Sequence, residues 1–205
     1  MAGRILVIGA GGHARPVIEA LLAQGFAVAG LLDDGAAAGP VLGHKLLGGT
    51  GRLAGLRAEG LDAAVIAIGG NAARARLGAL CRQAGFALPV VLHPAALVSP
   101  SAVIGPGAQV MARAVIGPEA ALGPLCLVNT GAIVEHECRV GEAAHLGPGA
   151  VLCGGASLGP RAWLGAGAVV RAGVAIGADV VIGIGEAVLS GATGGGAAAM
   201  PKGGM

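Results

Sequence analysis

A six-residue repeat limits what this chain can fold into more than any other feature. From Val98 to Ala187 the sequence divides without a slip into hexads: VSPSAV, IGPGAQ, VMARAV, IGPEAA, LGPLCL, VNTGAI, VEHECR, VGEAAH, LGPGAV and onward to IGIGEA. The first place of every hexad is Val, Ile or Leu. The fifth is Ala, Cys or Val until Glu186 ends the run. LHPAAL before the run and VLSGAT after it keep the frame. A helix cannot hold such a period, because six residues drift around a 3.6-residue turn.

The pattern specifies a parallel β-solenoid. Each hexad supplies one short flat strand and a tight turn. The large aliphatic fills the axis, and the small fifth residue packs inside near a corner. Three hexads close a triangular coil of about 18 residues, and coils stack at ~4.8 Å. Five or so coils make a prism about 25 Å long. This explains a composition with 41 Gly, 55% hydrophobic residues and 1% aromatics. In its hexads the chain resembles the hexapeptide-repeat acyltransferases, whose coils wind left-handed. The resemblance carries that hand. The spacing does not, and the general crossover rule favours the opposite one.

Before the repeat, the sequence reads as a small α/β domain. Strands are expected over Arg4 to Ile8, Phe26 to Leu32, Ala63 to Ile68 and Phe86 to Leu92, with helices over Ala14 to Gln24 and Ala72 to Ala84. Thr50 is expected to cap a further short helix. The Gly9-Ala10-Gly11-Gly12-His13 turn between the first strand and helix offers backbone N–H groups to phosphate. The Asp33-Asp34 pair about 20 residues on suits a ribose or base. A dinucleotide domain needs about twice this many βα units, so a single nucleotide fits better. A tight turn with no ligand is the alternative. The expected organisation is a Rossmann-like parallel-sheet domain over residues 1–92, a left-handed β-helix over 93–193, and a Gly/Ala-rich tail over 194–205.

Composition excludes several classes. With 13 Lys and Arg scattered along the chain and a net charge of +2, there is no nucleic-acid footprint. No apolar run reaches membrane-spanning length, and the N-terminus lacks a signal-peptide cleavage site, so the chain is expected to be cytoplasmic. The four Cys show no metal or redox spacing, and Cys126 and Cys138 occupy fifth places as packing residues. No metal is expected: His93, His136 and His145 do not match across coils as a ligand set.

The charge-poor repeat is broken at Glu135-His136-Glu137, with Glu142 and His145 following. His136 takes the third place of its hexad and should face outward. A carboxylate beside an imidazole holds its tautomer and suits it to general-base work. Spacing does not say whether Glu135 or Glu137 touches the ring, and a solvated polar turn is the competing reading.

The stretch from Val128 to Ala150, VNTGAIVEHECRVGEAAHLGPGA, is similar to the signature of the bacterial sugar acetyltransferases related to bacillosamine and perosamine N-acetyltransferases and the sialic-acid O-acetyltransferases. The Gly-Ala-Gly-Gly-His turn, the Leu-Asp-Asp strand end and the Ile-Gly-Gly-Asn turn extend the resemblance over nearly the whole chain. It implies an acetyl-CoA-dependent homotrimer acting on a nucleotide-linked amino sugar. It also implies roles: His136 as base with Glu137 as its partner, and His145 toward the acyl donor. Gly154, Ala166, Gly183 and Ile184 would line the pantetheine groove. Gly11, Gly12, His13, Asp33, Asp34 and Gly69 would hold the nucleotide sugar. Ala72 departs from the polar residue of some relatives, which leaves the base open, and the C-terminal tail departs from the usual ending.

His136 and His145 lie half a coil apart, so one prism should not bring them together. Adjacent prisms of a threefold assembly can, and each site is expected between subunits. Direct transfer without an acyl-enzyme is expected, since Cys138 points inward and no Ser adjoins His136. Sugar O-acetylation and a non-catalytic scaffold remain the alternatives.

Overall fold

The computed structural model describes residues 3–35 and 39–191. The expected tail over 194–205 lies outside them. The N-terminal domain is a three-stranded parallel sheet of β1 (Arg4–Ile8), β2 (Ala27–Leu32) and β3 (Ala63–Ile66), in the order β2-β1-β3. Its helices are α1 (Ala14–Ala23), α2 (Leu53–Ala58) and α3 (Asn71–Gln83). Helix α1 buries Ala14, Val17, Ile18, Ala20 and Leu21, the stripe that a 3.6-residue period aligns. Two expectations need correction. The stretch Phe86 to Leu92 is not a fourth strand of this sheet: Ala87 makes one isolated bridge to Ala63, and Val91–Leu92 already belongs to the solenoid. Thr50 does not cap its helix, because its hydroxyl and N–H go to Asp34 instead.

The hexads form two-residue strands from β4 (Val91–Leu92) to β20 (Ala187–Val188), stacked in parallel sheets of six, six and five strands. Partners such as Ile133 and Val151 lie three hexads apart, as a triangular coil requires. The result is the expected parallel β-solenoid of about five coils, consistent with left-handed winding. The first and fifth places of the hexads make one aliphatic core, from Ala108 and Val110 up to Ile176 and Ile182. The fourth place takes positive φ in every hexad from Gly107 through Glu137 to Gly185, which is why glycine recurs there. Glu186 cannot enter the core. Its carboxylate folds back to accept the Gly183 N–H at 2.9 Å.

Each prism face has its own character. On the first, Val91, Gln109, Leu127 and His145 are buried under the N-terminal domain. On the second, Leu97, Val115, Ile133, Val151, Val169 and Ala187 point outward in a ladder. Leu97 is 69% exposed and Val169 38%. The third face carries Val103, Ala121, Arg139, Ser157 and Ala175.

The docking of the two domains is polar as well as apolar. Val91, Met111 and Leu127 share a core with α1 and β1. Along the edge between the third and first faces, α3 lays Asn71, Arg74 and Gly78 on successive coils. The Asn71 amide donates to the carbonyls of Arg161 and Ala162 at 2.8 and 3.0 Å. Gly78 lets the helix sit flush, since a Cβ there would overlap the Leu125 side chain. No helix among the described residues is long and apolar enough to cross a membrane.

Candidate active site

His136 stands on the edge between the second and third faces, opposite the face that the N-terminal domain covers. Its hexad turns between β11 (Ile133–Val134) and β12 (Arg139–Val140). Glu137 occupies the left-handed fourth place with φ 59°, and its Oε2 lies 3.0 Å from His136 Nδ1. The Nδ1–H therefore donates to the carboxylate, leaving Nε2 as the available lone pair. Both side chains are exposed, at 57% and 65%. Among the described residues, Glu137 is the one carboxylate paired with the ring. Glu142 instead lies on the docking edge, 3.8 Å from Arg82.

The next coil places Gly154 against the imidazole. A Cβ there would overlap Nε2, Cε1 and Cδ2 of His136, while the Gly155 N–H donates to the His136 carbonyl at 2.9 Å. Gly154→Ala is expected to push the ring aside without disturbing the coil. The expected outcome is a loss of at least about tenfold in kcat with an unchanged thermal melt. An unchanged kcat would show that the ring position is not critical.

His145 lies on the first face, buried at the domain junction. Its Nε2 is 3.2 Å from Asn129 Nδ2. Asn129 Oδ1 already accepts the Thr130 N–H at 2.8 Å, so the Asn129 amide donates to His145. Burial, Arg74 and His13 push the His145 pKa down to about 3, against the Gly69 backbone beside the ring. The unfolded chain charges this histidine near pH 6.5 and the folded chain does not, so stability falls as pH drops from there toward 3. The slope is up to ~1.4 kcal/mol per pH unit. Urea midpoints at pH 7 and pH 5 test this, and equal midpoints would contradict it.

The N-terminal half of the site is built around the glycine-rich turn. The N–H groups of Gly11, Gly12 and His13 have no protein partner among the described residues, and they open the N-terminus of α1. A Cβ on Gly11, Gly12 or Gly69 would meet nothing within 4 Å. Asp33 is committed to the turn itself: Oδ2 accepts the Ala10 N–H at 2.7 Å and Oδ1 the Gly35 N–H at 2.8 Å. Asp34 accepts from the Thr50 N–H and hydroxyl, which hold its carboxyl below the usual range. Both line a cleft of about 180 Å³ with Ile8, Gly9, Ala73 and Arg76.

The other expected residues divide between edges. Gly154 shares the His136 edge. Ala166, Gly183 and Ile184 lie on the edge between the first and second faces, with the Gly185 N–H bonded to Ala166. The aliphatic ladder runs between these two edges. Three of the four cysteines are held as thiols: burial pushes Cys126 up to about 12 and Cys81 to about 11, and also raises Cys138.

Sequence reasoning missed Gln109, Asn129 and Arg74 as members of this region. Asn129 and Gln109 each break an aliphatic hexad with a polar residue, which was a visible signal. Arg74 gave none beyond its place on a helix.

A solenoid edge carrying an oriented imidazole, joined to a small domain whose glycine-rich turn leaves three N–H groups free among the described residues, suits an acyl-transferring enzyme. The PglD N-terminal domain family matches residues 4–78. A structure of PerB from Caulobacter crescentus, in complex with CoA and GDP-perosamine, is 45% identical with a TM-score of 0.90. The match covers 94% of this chain and 92% of that one. A histidine-to-alanine mutant of GDP-perosamine N-acetyltransferase from the same organism, in complex with the same two ligands, is 44% identical with a TM-score of 0.91, over 94% and 91% of the chains. The acetyltransferase domain of PglB from Neisseria gonorrhoeae, in complex with acetyl coenzyme A, is 36% identical with a TM-score of 0.84, over 92% and 93%. A search of curated proteins found no match. The chain belongs to the hexapeptide-repeat sugar acetyltransferases, the family of the perosamine and bacillosamine N-acetyltransferases.

Proposed function

We propose that this protein transfers the acetyl group of acetyl-CoA to the amine of a nucleotide-linked 4-amino sugar. The observation that carries this is the pairing of an oriented base, His136 on Glu137, with a half-sized nucleotide domain whose turn leaves three N–H groups free. The neutral sugar amine attacks the thioester carbonyl. The N–C bond forms and the C–S bond breaks. His136 Nε2 takes the proton the amine loses and the departing CoA sulfur receives one. Backbone N–H groups stabilise the oxyanion of the tetrahedral intermediate. The Gly11-Gly12-His13 turn holds phosphate and the Asp33–Asp34 cleft holds the nucleoside. The CoA arm runs past Gly154, Ala166, Gly183 and Ile184.

The working unit in this reading is a homotrimer. One chain keeps His136 on the edge opposite its own sugar domain, so a neighbour's domain has to meet it. The aliphatic ladder supports that contact, because a monomer would leave it in water. Ile133→Asp in the middle of the ladder is expected to yield monomers in size-exclusion chromatography with light scattering. A trimer of unchanged mass would move the contact to another face.

The function is tested by thiol release from acetyl-CoA with GDP-, UDP- and dTDP-linked 4-amino sugars beside free sialic acid. GDP-perosamine is the first acceptor to try. Turnover confined to a nucleotide-linked amine is expected. Turnover on sialic acid alone would overturn the reading in favour of O-acetylation.

A further inference from the structure

Gln109 is out of character with its surroundings. It points outward from the first face between Val91 and Leu127, all three are fully buried, and it lies where the domains share an apolar core. A buried amide is tolerated only where its hydrogen bonds are met. Here the partners dictate its orientation. The Ile66 carbonyl, 2.6 Å away, can only accept, so it takes the Gln109 Nε2–H. Gln109 Oε1 must then face His13 Nε2, at 2.9 Å, and an amide oxygen can only accept. The proton of that bond belongs to the imidazole. His13 is also kept neutral, because burial and the nearby Arg74 charge both lower its pKa, against the bond from Gln109. His145, the other titratable group facing it, is neutral too. A neutral imidazole with its proton on Nε2 has a bare Nδ1. Among the described residues that nitrogen has no protein partner, and His13 directly follows Gly11 and Gly12 in the turn, where a Cβ on either glycine would meet open space.

We propose that Gln109 is a positioning residue that locks His13 as its Nε2–H tautomer, so that His13 Nδ1 accepts a hydrogen bond from an N–H or O–H of the acceptor sugar. The lock stands on the hydrogen-bond geometry and on the burial that disfavours the imidazolium, and its use rests on the function proposed above. It divides the turn into two recognition elements. The backbone N–H groups of Gly11 and Gly12 take an oxyanion. The adjacent Nδ1 repels oxyanions and demands a donor, which orients the sugar relative to its phosphate.

The test is histidine-selective ¹⁵N NMR of the unmodified protein at neutral pH, followed by Gln109→Met and Gln109→Glu. His13 is expected as one neutral tautomer with the proton on Nε2. Gln109→Met should give mixed tautomers and raise KM for the amino sugar about tenfold, leaving KM for acetyl-CoA unchanged. Gln109→Glu should shift His13 toward the imidazolium and raise the same KM. A wild-type His13 protonated on Nδ1 or on both nitrogens overturns the proposal without any variant. So does a Gln109→Met spectrum identical to wild type. A locked tautomer in a protein that acetylates no nucleotide-linked amine leaves the lock standing and sinks the functional reading.

Discussion

Replacing His136 with alanine is expected to lower kcat about 10²-fold or more while leaving the fold and both KM values nearly unchanged. General-base catalysis contributes roughly 10²–10⁴-fold. The lower part of that range applies here, because an amine attacks without first losing its proton. The fold should survive because the ring is 57% exposed, and the next coil is held to this one by the Gly155 N–H on the His136 backbone carbonyl, which alanine keeps. Glu137→Gln tests the same unit more gently. It keeps a hydrogen-bond acceptor at 3.0 Å but removes the charge that stabilises the imidazolium, so a smaller loss of kcat is expected. Steady-state kinetics on both variants check this. A His136→Ala enzyme within threefold of wild type would mean that the amine needs no base from this residue.

Arg74→Met is expected to be the most destabilising single change. The Arg74 side chain is fully buried, and among the described residues no carboxylate pairs with it. Instead it sits in a cage of acceptors. Nε donates to the Leu125 carbonyl at 2.7 Å, Nη1 to Ile68 and Gly69, and Nη2 to Asn71 Oδ1 and Ala143. Burial pulls its pKa down to about 10, so it stays charged at neutral pH. Methionine fills much of the volume but orphans these carbonyls. At ~1–3 kcal/mol for each unsatisfied buried group, partly relieved by water, a loss of roughly 3–5 kcal/mol follows. For a domain of this size that is a fall in Tm of about 10 °C. Arg74→Lys reaches fewer acceptors and should fall between. Calorimetry decides it, and a Tm within 2 °C of wild type would show that the cage contributes little.

The solenoid was legible because its repeat is written residue by residue. A first-place aliphatic and a small fifth residue fit a closed triangular coil, whereas the left-handed turn at the fourth place emerges only from the structure. The His136–Glu137 pair was legible for the opposite reason, as charge in a run that otherwise avoids it. What failed was local. Phe86 to Leu92 has the composition of a sheet strand, but Val91 and Leu92 find better partners in Gln109 and Val110 than in the small sheet. Thr50 has the chemistry of a cap, yet Asp34 reaches it first. The Asp33–Asp34 pair was expected to face a ligand, and the structure shows that both carboxylates also brace loops. The docking residues Asn71, Arg74 and Gln109 were hidden because their partners are backbone carbonyls and one histidine from distant segments. No spacing rule reports such contacts.

The account stands or falls on a site assembled from two copies, with His136 of one serving the sugar domain of another. Mixing two inactive variants measures this directly. His136→Ala removes the base. Gly12→Val fills the open space over the turn, where the fold tolerates a side chain because a Cβ meets nothing within 4 Å. Coexpressed in equal amounts, the two should form random trimers in which about a quarter of the sites pair an intact His136 with an intact turn. Acetyl transfer at about a quarter of the wild-type rate is the predicted result. Activity no greater than the sum of the two parents, in trimers shown to contain both chains, would place the base and the sugar site on one copy and contradict the account.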